Sequence, residues 1–298
     1  MGRIIFDPVL GWRRSVGTVE ERNQTLYRNL IIGPNGYRAL PNQRKTGERT
    51  VAIFGCSVTE GQWLPDEETY PYLLQEQFPD WRIEPYGIGA YSTFQNLLQL
   101  EAYLVTRKPD VVLFSFIASH LHRNVADPHL WISHQQSAGE KWIIGVGAQM
   151  NTFRPAAEFT PQGTLKYIRR YPPKTRGELD AMMQYRPDDR YQADIGVAIL
   201  NRAKFLCTQA GAQFHFAVLR SEMSKSLGGA ATPDHLEKDL FIQRLRSDDI
   251  SVIDADPRLP FSESTFAPID LHPNAQANVH FAREIGAGLA ASMERNTA

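Results

Sequence analysis

Cysteine is scarce in this sequence, since the 298 residues include only Cys56 and Cys207. Two cysteines do not make the disulfide framework of a small secreted domain, and their spacing matches no metal-binding pattern. Cys207 also falls inside a predicted helix. A chain of this length can bury a large core without cross-links, and it has room for one large or two small domains.

Long apolar runs are also absent. The opening Met1–Pro8 has no apolar stretch long enough for a signal peptide, and no later run reaches the roughly 18 apolar residues of a membrane span. On this ground the chain as written is expected to be cytoplasmic, with no membrane span.

Neither sign of charge is in excess, because 32 Lys and Arg stand against 33 Asp and Glu, for a formal net charge of −1. No global field favours nucleic acid or an anionic membrane surface as a partner. With 42% hydrophobic and 22% charged residues, the composition is that of an ordinary globular protein.

The first strong pattern lies in Arg49–Gly61, where an apolar strand ends at Gly55 and Ser57 follows at once. The run Val51–Phe54 is typical of a strand buried on both faces, and the glycines allow a sharp turn after it. A serine placed there lies at the carboxyl edge of a parallel sheet, where α/β proteins bind ligands. Ser57 is therefore the candidate nucleophile. The alternative is that it merely caps the next helix.

A second pattern lies near the other end, where Asp270 precedes His272 by two positions in a proline-bounded turn. A serine hydroxyl needs an imidazole to accept its proton and a carboxylate to orient that imidazole. Asp270 and His272 are close enough in one turn to supply this pair. The alternative is a helix start that happens to contain both residues, but the combination with Ser57 favours a catalytic triad.

Between these patterns the chain alternates predicted strands and helices, with strands near 51–54, 81–85, 111–116, 213–219 and 250–255. This alternation is typical of βαβ units and predicts an α/β fold, a three-layer α/β/α sandwich around a mostly parallel five-stranded sheet. We expect residues 1–298 to form a single domain, with residues 1–48 as an irregular N-terminal arm packed on it, in which short strands are an option.

Residues 121–192 break the alternation after the third strand. About 70 residues without clear period are too long for an ordinary connection and predict a lid or a small subdomain. The segment leaves the same sheet edge as Ser57, so we expect it to cap the crevice and shape the acyl or alcohol pocket. The alternative is a solvated insertion with an ordinary basic face.

Three blocks, in this order, resemble the SGNH or GDSL hydrolases: Gly55-Cys-Ser57-Val-Thr-Glu-Gly61, Tyr86-Gly-Ile-Gly-Ala-Tyr-Ser-Thr-Phe-Gln95 and Asp270-Leu-His272-Pro273. The resemblance spans roughly residues 48–124 and 193–292 and implies a flavodoxin-like sheet order. Cys56 stands where the family usually has Asp. Family members whose opening resembles Asp7–Arg13 can carry a membrane anchor just before it, so a removed anchor or signal before residue 1 stays open.

An oxyanion formed at Ser57 needs hydrogen-bond donors fixed in advance. The backbone N–H groups of Ser57 and Gly87 are two candidates, and Gly87 matches the glycine of the family's second block. A glycine needed only for the turn is the alternative. The family usually places an Asn past the third strand, but Ala118 or Ser119 occupies that position here. Ser119 or His120 could substitute, and we favour His120, against the alternative of a structural histidine.

The sequence gives little support for a metal site or a dinucleotide-binding site. A group of His122, His129, His134 and Asp127 matches no trusted metal-ligand spacing, and Gly145–Gly147 lacks the strand and the third glycine of a dinucleotide motif. No metal and no cofactor are therefore expected.

The resemblance and the residues together predict a serine ester hydrolase, a carboxylesterase or O-deacetylase acting on short acyl esters of a glycan or small molecule through an acyl-enzyme. The alternatives are an O-acyltransferase acting on a carbohydrate or small alcohol, with the segment 121–192 excluding water, and a non-catalytic binding protein on the same scaffold. The natural substrate and the oligomeric state are not indicated.

Overall fold

The computed structural model describes residues 4–131, 153–219, 234–255 and 259–295. The strands in chain order are β1 (Ile4–Asp7), β2 (Gly11–Arg14), β3 (Gly17–Asn23), β4 (Leu26–Ile32), β5 (Arg49–Gly55), β6 (Trp81–Gly87), β7 (Val111–Phe116), β8 (Arg154–Phe159), β9 (Leu165–Arg170), β10 (Gln213–Leu219) and β11 (Ser251–Ala255). The α-helices are α1 (Ser57–Glu60), α2 (Tyr70–Gln77), α3 (Thr93–Leu104), α4 (Ser119–Asn124), α5 (Arg176–Gln184), α6 (Asp189–Ala210), α7 (Asp234–Ser247), α8 (Phe261–Ser264) and α9 (Ala275–Arg295). Of the helices in these ranges, none is both long and apolar enough to cross a membrane.

Five strands form the central sheet, in the order β11-β10-β7-β5-β6. Every neighbouring pair is parallel, so the sheet is entirely rather than mostly parallel. Numbered along the chain, this order is 2-1-3-4-5, the flavodoxin-like arrangement. The predicted α/β/α fold class is confirmed.

The position of β7 in the sheet explains why its residues are apolar, apart from Ser115, which bonds the Tyr70 hydroxyl. Val112, Phe114 and Phe116 join the core beneath α3, α6 and α7, whereas Val111 and Leu113 join the core beneath α2 and α9. Successive side chains of a strand point to opposite faces, so a strand covered on both faces needs apolar residues throughout. The two cores are the inner surfaces of the three layers.

The N-terminal arm is more regular than its sequence predicts. Strands β1 and β2 pair as one antiparallel hairpin, and β3 and β4 pair as another. The longest described stretch of the arm without a strand or helix is residues 33–48. The hairpins were not located from the sequence, because Glu20, Glu21 and Arg22 interrupt the alternation of apolar side chains in β3, and Arg28 occupies the buried face of β4.

The segment 121–192 also contains regular elements, although residues 132–152 lie outside the described ranges. Strands β8 and β9 form an antiparallel hairpin, followed by α5 and the start of α6. The hairpin packs on α3 through Tyr167 and Phe94, whose ring centroids are 6.0 Å apart, and the Tyr167 hydroxyl donates to the Val9 carbonyl at 2.9 Å. That the segment caps a substrate crevice stays a prediction.

Candidate active site

Ser57 lies just beyond the carboxyl end of β5, a strand of the central sheet, as the first residue of the four-residue helix α1. It is 5% exposed. The backbone can turn sharply after β5 because Gly55 has no side chain. A Cβ at that position would collide with the Thr59 side chain. Gly61 ends the turn in the left-handed region, at φ 74°, which favours glycine. The local sequence therefore fixes the position of Ser57.

Ser57, His272 and Asp270 meet at this edge of the sheet. The Oγ of Ser57 lies 2.8 Å from His272 Nε2, and His272 Nδ1 lies 2.5 Å from Asp270 Oδ1. The side chains of His272 and Asp270 are each 19% exposed. These distances join a hydroxyl, an imidazole and a carboxylate in one hydrogen-bonded row, which can move a proton from the hydroxyl to the imidazole.

The turn that carries Asp270 and His272 is held by its own backbone. Asp270 Oδ1 accepts the backbone N–H of His272 at 2.8 Å, and the N–H of Phe266 donates to the His272 carbonyl at 3.1 Å. The side chain of Asn274 then accepts the N–H of Ala277 at 3.1 Å and starts α9. Residues 266–274 therefore present the imidazole from a fixed loop.

The carboxyl of Asp270 is ionised at neutral pH. Burial acts to raise its pKa, but the hydrogen bonds and the charge of His272 lower the pKa to about 2, with a smaller effect from the nearby indole of Trp63, whose Nε1 makes no hydrogen bond among the described residues. Trp63 was not identified from the sequence. Its backbone φ of 66° is rare for a residue with a side chain, but no sequence pattern signals that conformation.

Gly87 faces the helix that carries Ser57. It pairs with Gly55 in the sheet register, and a Cβ at position 87 would lie 2.5 Å from the backbone nitrogen of Glu60. Close packing against α1 therefore requires a glycine at this position. This requirement fits the alternative that Gly87 has a structural role. It also means that the backbone of residue 87 lies beside the serine turn, as an oxyanion donor would need.

Residues 118–120 stand where the family resemblance leads us to expect an Asn. Ala118 precedes α4, and Ser119 is buried with no hydrogen-bond partner for its Oγ among the described residues. His120 is fully buried, with Nδ1 3.2 Å from Thr93 Oγ1 and its ring edge-on to Phe116. Burial and the charges of two nearby arginines hold the pKa of His120 well below its usual value, so the ring is neutral.

Asn124 has a different place in the fold. Its Oδ1 accepts the backbone N–H of Phe94 at 2.9 Å, at the start of α3. The side chain is fully buried between two helices. Asn124 therefore joins α4 to α3, and its Oδ1 is occupied by the Phe94 N–H.

A group of arginines from the N-terminal arm holds α1 in place. Glu60 is buried and accepts two bonds from Arg14, at 2.8 and 2.9 Å, and one from Arg28 at 3.0 Å. Arg38 donates to the Glu60 carbonyl at 2.8 Å and pairs with Asp66 at 2.6 Å. We call Arg14, Arg28, Arg38 and Glu60 the clamp. It connects the arm to the same helical turn that begins with Ser57.

The clamp was not predicted from the sequence, although β4 carries a signal for it. In β4 the buried side chains are Arg28, Leu30 and Ile32, so an arginine shares one face with two apolar residues. A charged residue on an apolar face of a strand requires a buried partner of opposite charge. The sequence does not say which carboxylate that partner is.

The structure does not assemble the histidines considered as metal ligands. His122 Nδ1 lies 3.6 Å from Asp127 Oδ2, while Asp127 is held by Arg186 and Gln192 at 2.7 and 3.0 Å. His134, the side chain of His129 and the stretch Gly145–Gly147 lie outside the described residues. Across the parts of the chain that the structure covers, no group of three or more His, Cys, Asp or Glu side chains could hold a metal ion.

Neither a protein-family model nor a curated protein matches this chain. Similar solved structures include a member of the lipolytic protein G-D-S-L family from Veillonella parvula, with 14% identity, 79% of this chain and 94% of that one covered, and a TM-score of 0.44. A psychrotrophic esterase from Pseudoalteromonas sp. has 13% identity, covers 83% and 100%, and has a TM-score of 0.46. A catalytic mutant of an acetylxylan esterase from Geobacillus stearothermophilus has 11% identity, covers 82% and 94%, and has a TM-score of 0.45.

These structures come from the kinds of protein that the three sequence blocks resemble. At such low identities and TM-scores, the likeness carries no argument about activity. The case for a function rests on the geometry around Ser57.

Proposed function

We propose that the protein is a serine ester hydrolase that acts through Ser57, His272 and Asp270. One observation carries this proposal: His272 bridges Ser57 Oγ and Asp270 Oδ1, with distances of 2.8 and 2.5 Å. Side chains from segments 215 positions apart meet in the order that proton transfer requires. A serine that only capped α1 would not need this arrangement.

In the first step Ser57 Oγ attacks the ester carbonyl carbon, and His272 Nε2 takes the hydroxyl proton. Asp270 accepts the Nδ1–H and stabilises the imidazolium that forms. The tetrahedral intermediate then breaks its bond to the alcohol oxygen, which receives the proton from His272. In the second step His272 removes a proton from water, the hydroxide attacks the acyl-enzyme, and Ser57 leaves with its proton restored.

The negative charge on the carbonyl oxygen needs donors at the same edge of the sheet. We assign the backbone N–H groups of Ser57 and Gly87 to this task, because α1 and the end of β6 pack directly together. The oxyanion role of His120 stays a prediction. Its Nε2 has no partner among the described residues, while its Nδ1 is occupied by Thr93.

The proposed substrate is a short acyl ester, for example an O-acetyl group on a sugar or a small alcohol. Ser57 is 5% exposed, so little room surrounds the attacking oxygen. A small acyl group fits that restriction better than a long chain. This mechanism uses only side chains, backbone donors and water.

Labelling by a fluorophosphonate tests the proposal, because this probe forms a covalent bond only with an activated serine. We expect one label per chain, attached to Ser57, and no label on Ser57→Ala or His272→Ala. Ser115 offers a matched control, because it is buried in the neighbouring strand β7 and bonds the Tyr70 hydroxyl at 2.6 Å. Ser115→Ala should label normally. An unlabelled, folded wild-type protein would favour the non-catalytic alternative.

Kinetics of the variants test whether the three residues act as a unit. Ser57→Ala and His272→Ala should each lower kcat by roughly 10⁴- to 10⁶-fold on a short acyl ester, and the double variant should be little worse than either. Asp270→Ala should cost less. Additive losses in the double variant would contradict the scheme.

An added sugar acceptor separates hydrolysis from acyl transfer. If the transfer product forms faster than the free acid, the result favours the transferase.

A further inference from the structure

Arg123 lies on α4, buried beside the residue that precedes the nucleophile. It is 8% exposed, and its Nη1 donates to the Tyr91 carbonyl at 3.1 Å. The side chain of Cys56 lies near enough to its guanidinium to affect the pKa of Arg123. Burial lowers the pKa of Arg123, an effect that Cys56 opposes. The guanidinium therefore reaches the start of the serine turn.

Arg154, the first residue of β8, approaches the same place from the segment 121–192. It is 4% exposed, its Nη1 donates to the Ala90 carbonyl at 2.9 Å, and its guanidinium carbon lies 4.9 Å from the ring centroid of Trp12. Its buried Nε has no hydrogen-bond partner in the described part of the chain. Burial, and then the charge of Arg123, lowers the pKa of Arg154 to about 9, so the group is still cationic at neutral pH.

These two arginines have no carboxylate partner among the described residues. Each guanidinium offers five N–H donors, and each has one carbonyl acceptor in the ranges that the structure covers. The carboxylates that pair with buried arginines there bond Arg14, Arg28 and Arg38 instead. Buried charges without a partner are costly, and buried arginines are usually paired. Two like charges close together make the need for an anion greater.

Their contacts place both groups beside the proposed reaction centre. Cys56 is covalently joined to Ser57, and Ala90 and Tyr91 belong to the loop that leaves the sheet at Gly87. Arg123 therefore lies beside the serine turn, and both guanidiniums bond the loop after β6. This turn and this loop carry the proposed nucleophile and one proposed oxyanion donor.

We propose that Arg123 and Arg154 form an anion subsite beside Ser57, which binds a carboxylate carried on the alcohol part of the ester substrate. The inference rests on the proposed function and narrows its substrate class. The planar fork of a guanidinium matches the two oxygens of a carboxylate. The acyl group is short, so the alcohol part is where a recognition group has room.

The test compares acetyl esters that differ only in charge. The pairs are 3-acetoxybenzoate with 3-acetoxybenzamide and 4-acetoxybenzoate with 4-acetoxybenzamide. The carboxamide withdraws electrons more strongly and makes its ester the more reactive one, so a preference for the carboxylate cannot come from the leaving group. We expect the wild-type protein to favour one carboxylate of the two pairs by about 10- to 100-fold in kcat/KM.

Variants assign this preference to the subsite. Arg154→Gln should remove the preference by raising KM for the carboxylate ester, with the carboxamide ester unchanged. Arg154→Lys, which keeps the charge and loses the fork, should retain part of it. The matched control is Arg169→Gln, since Arg169 lies in the same hairpin but is exposed and contacts Pro8 and Phe153 instead. That variant should keep the full preference.

A binding measurement separates failure of the subsite from failure of the proposed function. Benzoate should raise the melting temperature of Ser57→Ala, benzamide should not, and Arg154→Gln should abolish the effect. Hydrolysis of both esters at equal rates would overturn the subsite and leave the hydrolase standing. No hydrolysis, with benzoate stabilisation that depends on Arg154, would support the subsite and refute the hydrolase. Absence of both the preference and the stabilisation would overturn the inference.

Discussion

Two groups of buried arginines flank the serine turn, and they differ in their counter-charges. In the clamp, Arg14 and Arg28 both bond Glu60, and each also pairs with Glu21, at 2.7 and 2.6 Å. Arg123 and Arg154 have carbonyl partners and no carboxylate in the described residues. The same residue type is neutralised in one group and left charged in the other.

The difference assigns separate tasks to the two groups. A buried charge that is fully paired adds little attraction for a ligand but fixes the elements it joins. A buried charge that is unpaired weakens the fold and attracts an anion. The clamp therefore holds α1 in position, and Arg123 and Arg154 are available to bind a ligand.

The largest effect is expected from breaking the clamp. Arg14→Met leaves Glu60 with less compensation for its buried charge and should lower the free energy of unfolding by about 3–5 kcal/mol. Urea unfolding measures this. Arg202→Met is the control, because Arg202 pairs with Glu101 at the exposed surface and its loss should cost less than about 1 kcal/mol. Equal losses in both variants would mean that the clamp does not stabilise the fold.

An effect of intermediate size is expected from acid. Burial acts to raise the pKa of Glu60, but Arg14 and Arg28 lower it from 4.5 to about 2. A lowered folded-state pKa contributes stability above the unfolded value, and this contribution is lost as pH falls from about 4.5 towards 2. The wild-type protein should lose on the order of 2–3 kcal/mol from this carboxyl across that window. The free energy of unfolding of Glu60→Gln should not show this loss. If the two proteins lose the same free energy of unfolding across that pH window, the prediction is wrong.

The smallest effect is expected from removing an arginine of the second group. Arg154→Met loses one hydrogen bond and the contact over Trp12, but it also removes an uncompensated buried charge. These changes oppose each other, so the free energy of unfolding should change by less than about 1 kcal/mol without added anion. Urea unfolding beside Arg14→Met makes the comparison direct. A loss as large as that of Arg14→Met would show that Arg154 has a partner charge.

The sheet was predictable because its signals are local. The apolar runs that become β5 and β7 are buried on both faces, and ligands bind at the carboxyl ends of such parallel strands. The turn of Asp270 and His272 was also visible, since the two residues are two positions apart. Their approach to Ser57 was inferred only from the chemistry that a nucleophile requires.

The arginine groups were not predictable for a physical reason. Arg14, Arg28 and Glu60 come from three elements far apart in sequence, and no spacing connects them. Arg123 and Arg154 belong to no motif, and their significance depends on which carboxylates pair with the other buried arginines. Burial and pairing are properties of the folded chain. The sequence of β4 signals that Arg28 needs a buried carboxylate, but the members of the two groups could be identified only from the structure.

The clamp also defines which part of the chain can be transferred as a unit. A protein engineer who grafted only residues 49–295 onto another N-terminus would keep Ser57, Asp270 and His272 but would omit the three arginines of the clamp. Glu60 would then be buried without its cations, in the same helical turn as Ser57. The smallest portable version of this serine turn therefore includes the hairpins that precede the sheet.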